Sequence, residues 1–236
     1  MNLNKSKGNM YGFVTHTWNP IKGTCPHGCE YCYMKRILAR SGGDRPQRLV
    51  ESELSIPRDS PKDKYIFVGS STDAWAEAVP QEWLDKVYDV INTYDATYLL
   101  QSKNPGRFVA DLDRIPNHTW IGTTIETNRP GYSYNAPTQR DRLEQIVKIK
   151  GLRPDIRILL TAEPVISFDR DDYLDMILSA SPDMFAIGAD SGRNGLDEPT
   201  RDDVEWLVES IRSVGVKIYI KQNLNRITDK YASGYL

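Results

Sequence analysis

The sequence has only three cysteines in 236 residues, and all of them fall between Cys25 and Cys32. A disulfide framework uses an even number, and buried structural cysteines scatter along a chain, so a tight odd cluster fits neither. No apolar run approaches the length needed to cross a bilayer. The N-terminal stretch MNLNKSKGNMYG lacks the apolar core of a secretory signal. A cytoplasmic location is expected on those grounds. Neither sign of charge is in excess: 30 basic residues face 32 acidic ones, for a net charge of −2. Global attraction to nucleic acid is therefore excluded, although a local basic surface is not. Repeats, linkers and low-complexity blocks are also missing, so residues 1–236 read as one domain. With 39% hydrophobic and 26% charged residues, the composition is that of an ordinary globular protein.

Positive charge does gather locally. Residues 35–64 carry Lys35, Arg36, Arg40, Arg45, Arg48, Arg58, Lys62 and Lys64 against five acidic residues. A solvated helix and loop accounts for such a stretch, and so does a phosphate-contacting edge; charge alone does not choose.

Strand and helix signals alternate along the chain. Strands are expected at Phe13–Trp18, Tyr65–Gly69, Thr97–Gln101, Trp120–Ile125, Ile156–Thr161, Met184–Gly188 and Lys217–Lys221. Helices are expected at Tyr33–Arg40, Glu82–Tyr94, Gln139–Lys150, Tyr173–Ser179 and Arg201–Val214, with a short one after Asn104-Pro105. This pattern predicts an α/β fold of six to seven parallel strands covered by helices, either a partial (β/α) barrel or a doubly wound open sheet. Most strands end in polar residues: THTWNP, GSSTD, QSKNP, TTIETN, TAEP, GADSG and KQN. Ligands bind at the carboxyl ends of strands in such architectures, although any one of these residues also serves as a turn or helix cap.

The central motif is Cys25-Pro26-His27-Gly28-Cys29-Glu30-Tyr31-Cys32, a C-x3-C-x2-C pattern directly after the first expected strand. Thiolates are soft, charged ligands suited to iron–sulfur clusters. A cubane usually takes four cysteines; three would leave one iron open for chemistry.

C-x3-C-x2-C after the first strand, with an aromatic residue before the last cysteine, resembles the radical S-adenosylmethionine (SAM) superfamily. More narrowly, HTWNPIKGTCPHGCEYCYMKR, GSSTD, QSKNP, TAEP and KQN resemble a phage- and prophage-encoded radical SAM-like family. The resemblance implies the partial barrel, and a [4Fe–4S] cluster held by Cys25, Cys29 and Cys32. It implies S-adenosyl-L-methionine as second cofactor, a 5′-deoxyadenosyl radical that abstracts hydrogen, and a reductant protein such as flavodoxin or ferredoxin. Some phage members of the superfamily act in thymidine hypermodification, so an isomerase acting on an amino-acid adduct of thymidine in phage DNA, in the host cytoplasm, is the expected activity.

Site residues are assigned by strand end, and the resemblance supplies the expected SAM contacts among them. Tyr31 takes the aromatic position near adenine. Ser70, Ser71 and Asp73, after the second strand, take the place of the SAM amino-group contact. Thr124 and Glu126, at the fourth, take that of the ribose contact. Lys103 is placed to pair with the SAM carboxylate or a substrate anion. Glu163, Asp190 and Lys221, later in the barrel, face the substrate. His16 or Trp18 is expected over the cluster or SAM. Two alternatives stand beside this reading: a radical SAM enzyme acting on a peptide or small metabolite, and a non-enzymatic interaction protein built on zinc with His27, His16 or His118 as fourth ligand.

Overall fold

The computed structural model describes residues 1–7, 10–132 and 134–236. Its centre is a nine-stranded sheet, and seven of those strands run parallel. In chain order the strands are β1 (Asn4–Lys5), β2 (His16–Trp18), β3 (Ile21–Lys22), β4 (Arg48–Leu49), β5 (Tyr65–Val68), β6 (Thr97–Gln101), β7 (Thr119–Thr124), β8 (Arg157–Ala162), β9 (Met184–Ile187), β10 (Lys217–Ile220) and β11 (Gly234–Tyr235). The helices are α1 (Tyr33–Arg40), α2 (Gln81–Thr93), α3 (Gly106–Val109), α4 (Gln139–Leu152), α5 (Arg170–Ser179) and α6 (Arg201–Ser213).

The parallel strands lie side by side in chain order, β2-β5-β6-β7-β8-β9-β10. A doubly wound sheet reverses its order at a switch point, so this winding excludes that alternative and is that of an unrolled β/α barrel. Antiparallel β1 and β11 pair with β2 and β10, covering both edges of the parallel run. Strands β3 and β4 form a separate two-stranded sheet.

Alternation along the strands makes two cores. Tyr98, Leu100, Ile121, Ile158, Leu160, Phe185, Ile187, Ile218 and Ile220 belong to the main cluster with the helices. Helix α2 turns Leu84, Val87, Tyr88, Val90 and Ile91 inward, and α6 turns Val204, Leu207, Val208 and Ile211 inward, at the 3.6-residue spacing of one buried stripe. Capping boxes at Thr138 with Asp141 and at Thr200 with Asp203 fix where α4 and α6 begin. The opposite strand residues, Leu99, Trp120, Leu159, Ala186 and Tyr219, form a second cluster with Tyr11 and Val14. The segment around Met10–Val14 thus lies across the sheet face that the helices leave uncovered. Tyr11 packs edge-on against Tyr219, with ring centres 6.1 Å apart.

The first expected strand is shorter than the sequence suggests, because Phe13 and Val14 belong to that covering segment and not to the sheet. Trp18 is fully buried and its indole donates to the Glu53 carbonyl (3.1 Å). His16 pairs with Lys5 across the sheet edge. Neither lines the cavity described next, which corrects the expectation that one of them covers a cofactor there.

A thiol-lined cavity at the strand ends

A cavity of about 570 Å³ opens at the carboxyl ends of the parallel strands. Its wall includes Cys25, Cys29, Cys32, Tyr31, Ser70, Ser71, Asp73, Lys103, Thr124, Glu163, Asp190 and Lys221. Of the residues expected to contact SAM or substrate, Glu126 is absent from that wall.

The cysteine loop connects the β2–β3 region to α1, with Cys32 as the residue before the helix. Gly28 adopts φ +67°, a left-handed conformation that glycine takes without strain. Asn135 clamps the loop twice: its backbone N–H donates to the His27 carbonyl (3.0 Å) and its side-chain amide to the Pro26 carbonyl (3.2 Å). The amino group of Lys35 donates to the Gly28 carbonyl (2.9 Å). All three thiols are free; Cys29 is buried and the others half-buried. Burial, reinforced by the charge of Asp73, pushes the Cys25 thiol up to about 12, and burial likewise raises Cys29. Nearby cationic charge would reverse this, since a bound metal makes thiolates of coordinating thiols.

Among the described residues, no three His, Cys, Asp or Glu side chains converge on a point that would hold a single metal ion. Tetrahedral zinc needs that convergence. An iron–sulfur cubane does not, because each cysteine binds a different iron. Three thiols on one loop at a cavity mouth fit a cubane with one iron left open.

His27, between two of the cysteines, is by sequence a candidate zinc ligand. Its Nε2 instead faces Asp73 Oδ2 (2.8 Å), and its Nδ1 faces the Asn135 carbonyl (3.3 Å). Asp73 also accepts from Ser102 Oγ (2.9 Å), the Lys103 N–H (2.8 Å) and the Trp75 N–H (2.9 Å). These bonds outweigh the burial of the carboxyl and hold it below the usual carboxylate range. Asp73 therefore joins the cysteine loop to the ends of β5 and β6. Asn19 Oδ1 positions the β5 turn by accepting from the Ser71 N–H (2.9 Å), Ser71 Oγ (3.0 Å) and Ser70 Oγ (3.2 Å).

Glu126 is fully buried behind Tyr31 and Lys103, and both donate to its Oε1. Arg142, also fully buried, donates to its Oε2 (3.0 Å), and Gln139 donates to the same oxygen (3.4 Å). Opposing burial, Lys103 and then Arg142 hold the carboxyl low. A direct ribose contact by Glu126 does not follow from this position; its neighbours Tyr31 and Lys103 face the cavity in its stead. Lys103 Nζ lies 2.6 Å from the Tyr31 hydroxyl.

Toward β8 and β10, Lys221 Nζ pairs with Glu163 Oε2 (2.9 Å) and lies 4.7 Å from the Tyr11 ring centre. Burial lifts the Glu163 carboxyl despite that lysine. Asp190 spends its carboxylate on its own loop, accepting from the Gly192 N–H (3.0 Å) and the Asn194 amide (2.7 Å). Thr124 Oγ1 accepts from Thr161 (3.1 Å) and Gln101 (3.4 Å). Sequence reasoning missed Tyr11, Phe67, Gln101, Asn223 and Arg142. Gln101 and Asn223 lie within the quoted strand ends QSKNP and KQN, which was the available signal; nothing local marks Tyr11 or Arg142.

No curated protein matches the sequence. A solved structure of a spore photoproduct lyase mutant, with bound AdoMet and dinucleoside spore photoproduct, shares the fold with a TM-score of 0.57 at 12% identity. The match covers 86% of this chain and 62% of that one, so the chain spans less than two thirds of that protein's length. The profile of a family described as "Protein of unknown function (DUF5131)" matches residues 10–223, and the chain belongs to that family.

Proposed function

We propose that this protein is a radical SAM enzyme. The observation that carries the reading is the placement of three free thiols, and no others, on one clamped loop at the mouth of a cavity with room for further ligands. Cys25, Cys29 and Cys32 would hold the [4Fe–4S] cluster. When bound, that cluster and S-adenosyl-L-methionine supply a 5′-deoxyadenosyl radical for hydrogen abstraction. The protein's own part is binding and orientation. Tyr31, braced by Glu126 and Lys103, offers its ring to the adenine; Ser70 and Ser71, fixed by Asn19, edge the place of the amino group; and Lys103 presents a cation for the carboxylate. Thr124, on the cavity wall at the end of the fourth parallel strand, would take the ribose contact, with Asp73 joining the loops on that side of the cavity.

The finer reading is rearrangement of an amino-acid-modified thymidine in phage DNA, with flavodoxin or ferredoxin as reductant. Its support is the resemblance to phage-encoded radical SAM-like proteins, together with the dinucleoside held by the spore photoproduct lyase that shares this fold. A small-metabolite or peptide substrate is the competing enzyme reading, and it predicts no salt-sensitive binding of DNA.

The test is anaerobic incubation of the reconstituted protein with SAM and dithionite. Release of 5′-deoxyadenosine, lost on Cys25→Ala, Cys29→Ala or Cys32→Ala, supports the reading. No product from a protein carrying its full complement of iron and sulfide would overturn it.

A further inference from the structure

At the end of the cavity away from the cysteine loop, Glu163 follows β8 and Lys221 follows β10. The strand between them, β9, gives way to Gly188, and the missing side chain there lets the two residues meet. A Cβ on Gly188 would lie 3.1 Å from Lys221 Cβ, 3.2 Å from Lys221 Cδ and 2.9 Å from Asn223 Oδ1. The lysine stem is therefore laid across the glycine.

The ion pair is buried but incompletely satisfied. The two side chains are only 7% and 18% exposed. Lys221 has three protons to donate, and one goes to Glu163 Oε2. Glu163 Oε1 and Asn223 Oδ1 are buried without a hydrogen-bond partner among the described residues. A buried pair of this kind adds little net stability, and each unmatched polar atom costs free energy. The cofactor reading above uses neither residue. Apolar and aromatic groups, Met10, Tyr11, Met34 and Phe67, line the same cavity.

We propose that Glu163 and Lys221 read the hydrogen-bonding edge of a nucleobase, Lys221 donating to a ring acceptor and Glu163 accepting from the adjacent N–H. This deepens the radical SAM reading and rests on it. A nucleobase edge is electrically neutral, places a donor beside an acceptor, and carries a flat apolar face that suits the Tyr11 and Phe67 walls. The ion pair is itself net neutral, so a simple anion or cation would satisfy one member while competing with the other. A free amino acid has both charges, but it would surrender the hydration of two ions and leave the aromatic walls without a partner.

The experiment measures binding of the four nucleosides to the reconstituted, SAM-loaded protein by ligand-observed NMR, each beside an analogue methylated on the edge nitrogen. At least one nucleoside is expected to bind, and methylation of its edge should weaken binding tenfold or more. Glu163→Gln and Lys221→Met should each weaken the same nucleoside by a similar factor while leaving SAM affinity unchanged. Equal binding of parent and methylated nucleosides, or displacement by a free amino acid at equal concentration, would overturn the proposal. So would the absence of nucleoside binding in a protein that binds SAM, and that result leaves the radical SAM reading standing. Failure to bind SAM is a failure of that earlier reading. If either variant does not fold, the methylated nucleosides tested on the parent protein decide the matter alone.

Discussion

Arg142 and Glu126 are both completely buried, and their ion pair sits directly behind Tyr31 and Lys103 on the cavity wall. Without Arg142, Glu126 would keep Lys103, Tyr31 and Gln139 as partners, while the Thr124 and Pro137 carbonyls that Arg142 also bonds would each lose a donor. Arg142→Met is expected to lose about 1–3 kcal/mol in urea unfolding, and an unchanged stability would contradict the role given to the pair. Glu163 gives the opposite lesson. Its carboxyl is raised above the ordinary 4.5, so between 4.5 and that raised value the folded protein keeps a proton that the unfolded chain releases, and above it the carboxylate pairs with Lys221. Stability from this group is greatest below 4.5 and falls as pH rises through the raised folded value. In urea titrations the stability of Glu163→Gln relative to the parent should therefore increase from acid to neutral pH; a constant difference would count against the raised carboxyl. At this scale the gathering of the three cysteines on one loop was legible from their spacing, and they do share one cavity wall. The direction of Glu126 was not. Strand position tells which residues end near the cavity, but not whether a side chain just past the strand points into it or behind it.

Helix α1 buries none of its residues. It is tied to the cavity rim by Tyr33, whose hydroxyl donates to the Ser70 carbonyl (2.8 Å), and by Lys35 on the cysteine loop. Among the described residues, none of the basic side chains between Lys35 and Lys64 forms an ion pair, whereas Arg114, Arg129, Arg142, Arg153, Arg170, Arg201, Arg212 and Arg226 all do. Under the DNA reading this uncompensated edge touches phosphates. Neutralising Arg36, Arg40 and Arg45 together should reduce the slope of log affinity against log salt by about 0.7–0.9 for each phosphate that is no longer neutralised. An unchanged slope, measured by fluorescence anisotropy with oligonucleotides, would separate this edge from any nucleic acid. Helix and strand positions were readable from periodicity, and α1 and β6 fall where expected. The segment Met10–Val14 was not readable as a cover for the sheet, because its partners Leu99, Trp120 and Tyr219 are remote in sequence and no local pattern announces them.

For the whole molecule, alternation of strands and helices specified a parallel α/β fold but left two windings open. Strand order resolves them, and it depends on how each crossover packs, which a period of two or 3.6 residues does not encode. The sequential order brings the ends of β2 and β10 to the two flanks of one cavity, with the thiols on one side and the Glu163–Lys221 pair on the other. Large apolar cores lie on both sheet faces, and none of the three cysteines belongs to either. A triple Cys25, Cys29 and Cys32→Ala variant should accordingly keep its circular dichroism spectrum and cooperative unfolding while losing all SAM cleavage. Unfolding of that variant would favour a structural metal.

The most direct measurement is electron paramagnetic resonance of the anaerobically reduced protein before and after SAM is added. The account predicts the signal of a reduced [4Fe–4S] cluster, on the order of four irons per chain, whose line shape changes when SAM occupies the open iron. A cluster signal indifferent to SAM, or a reconstituted protein that carries zinc and no cluster, would contradict it.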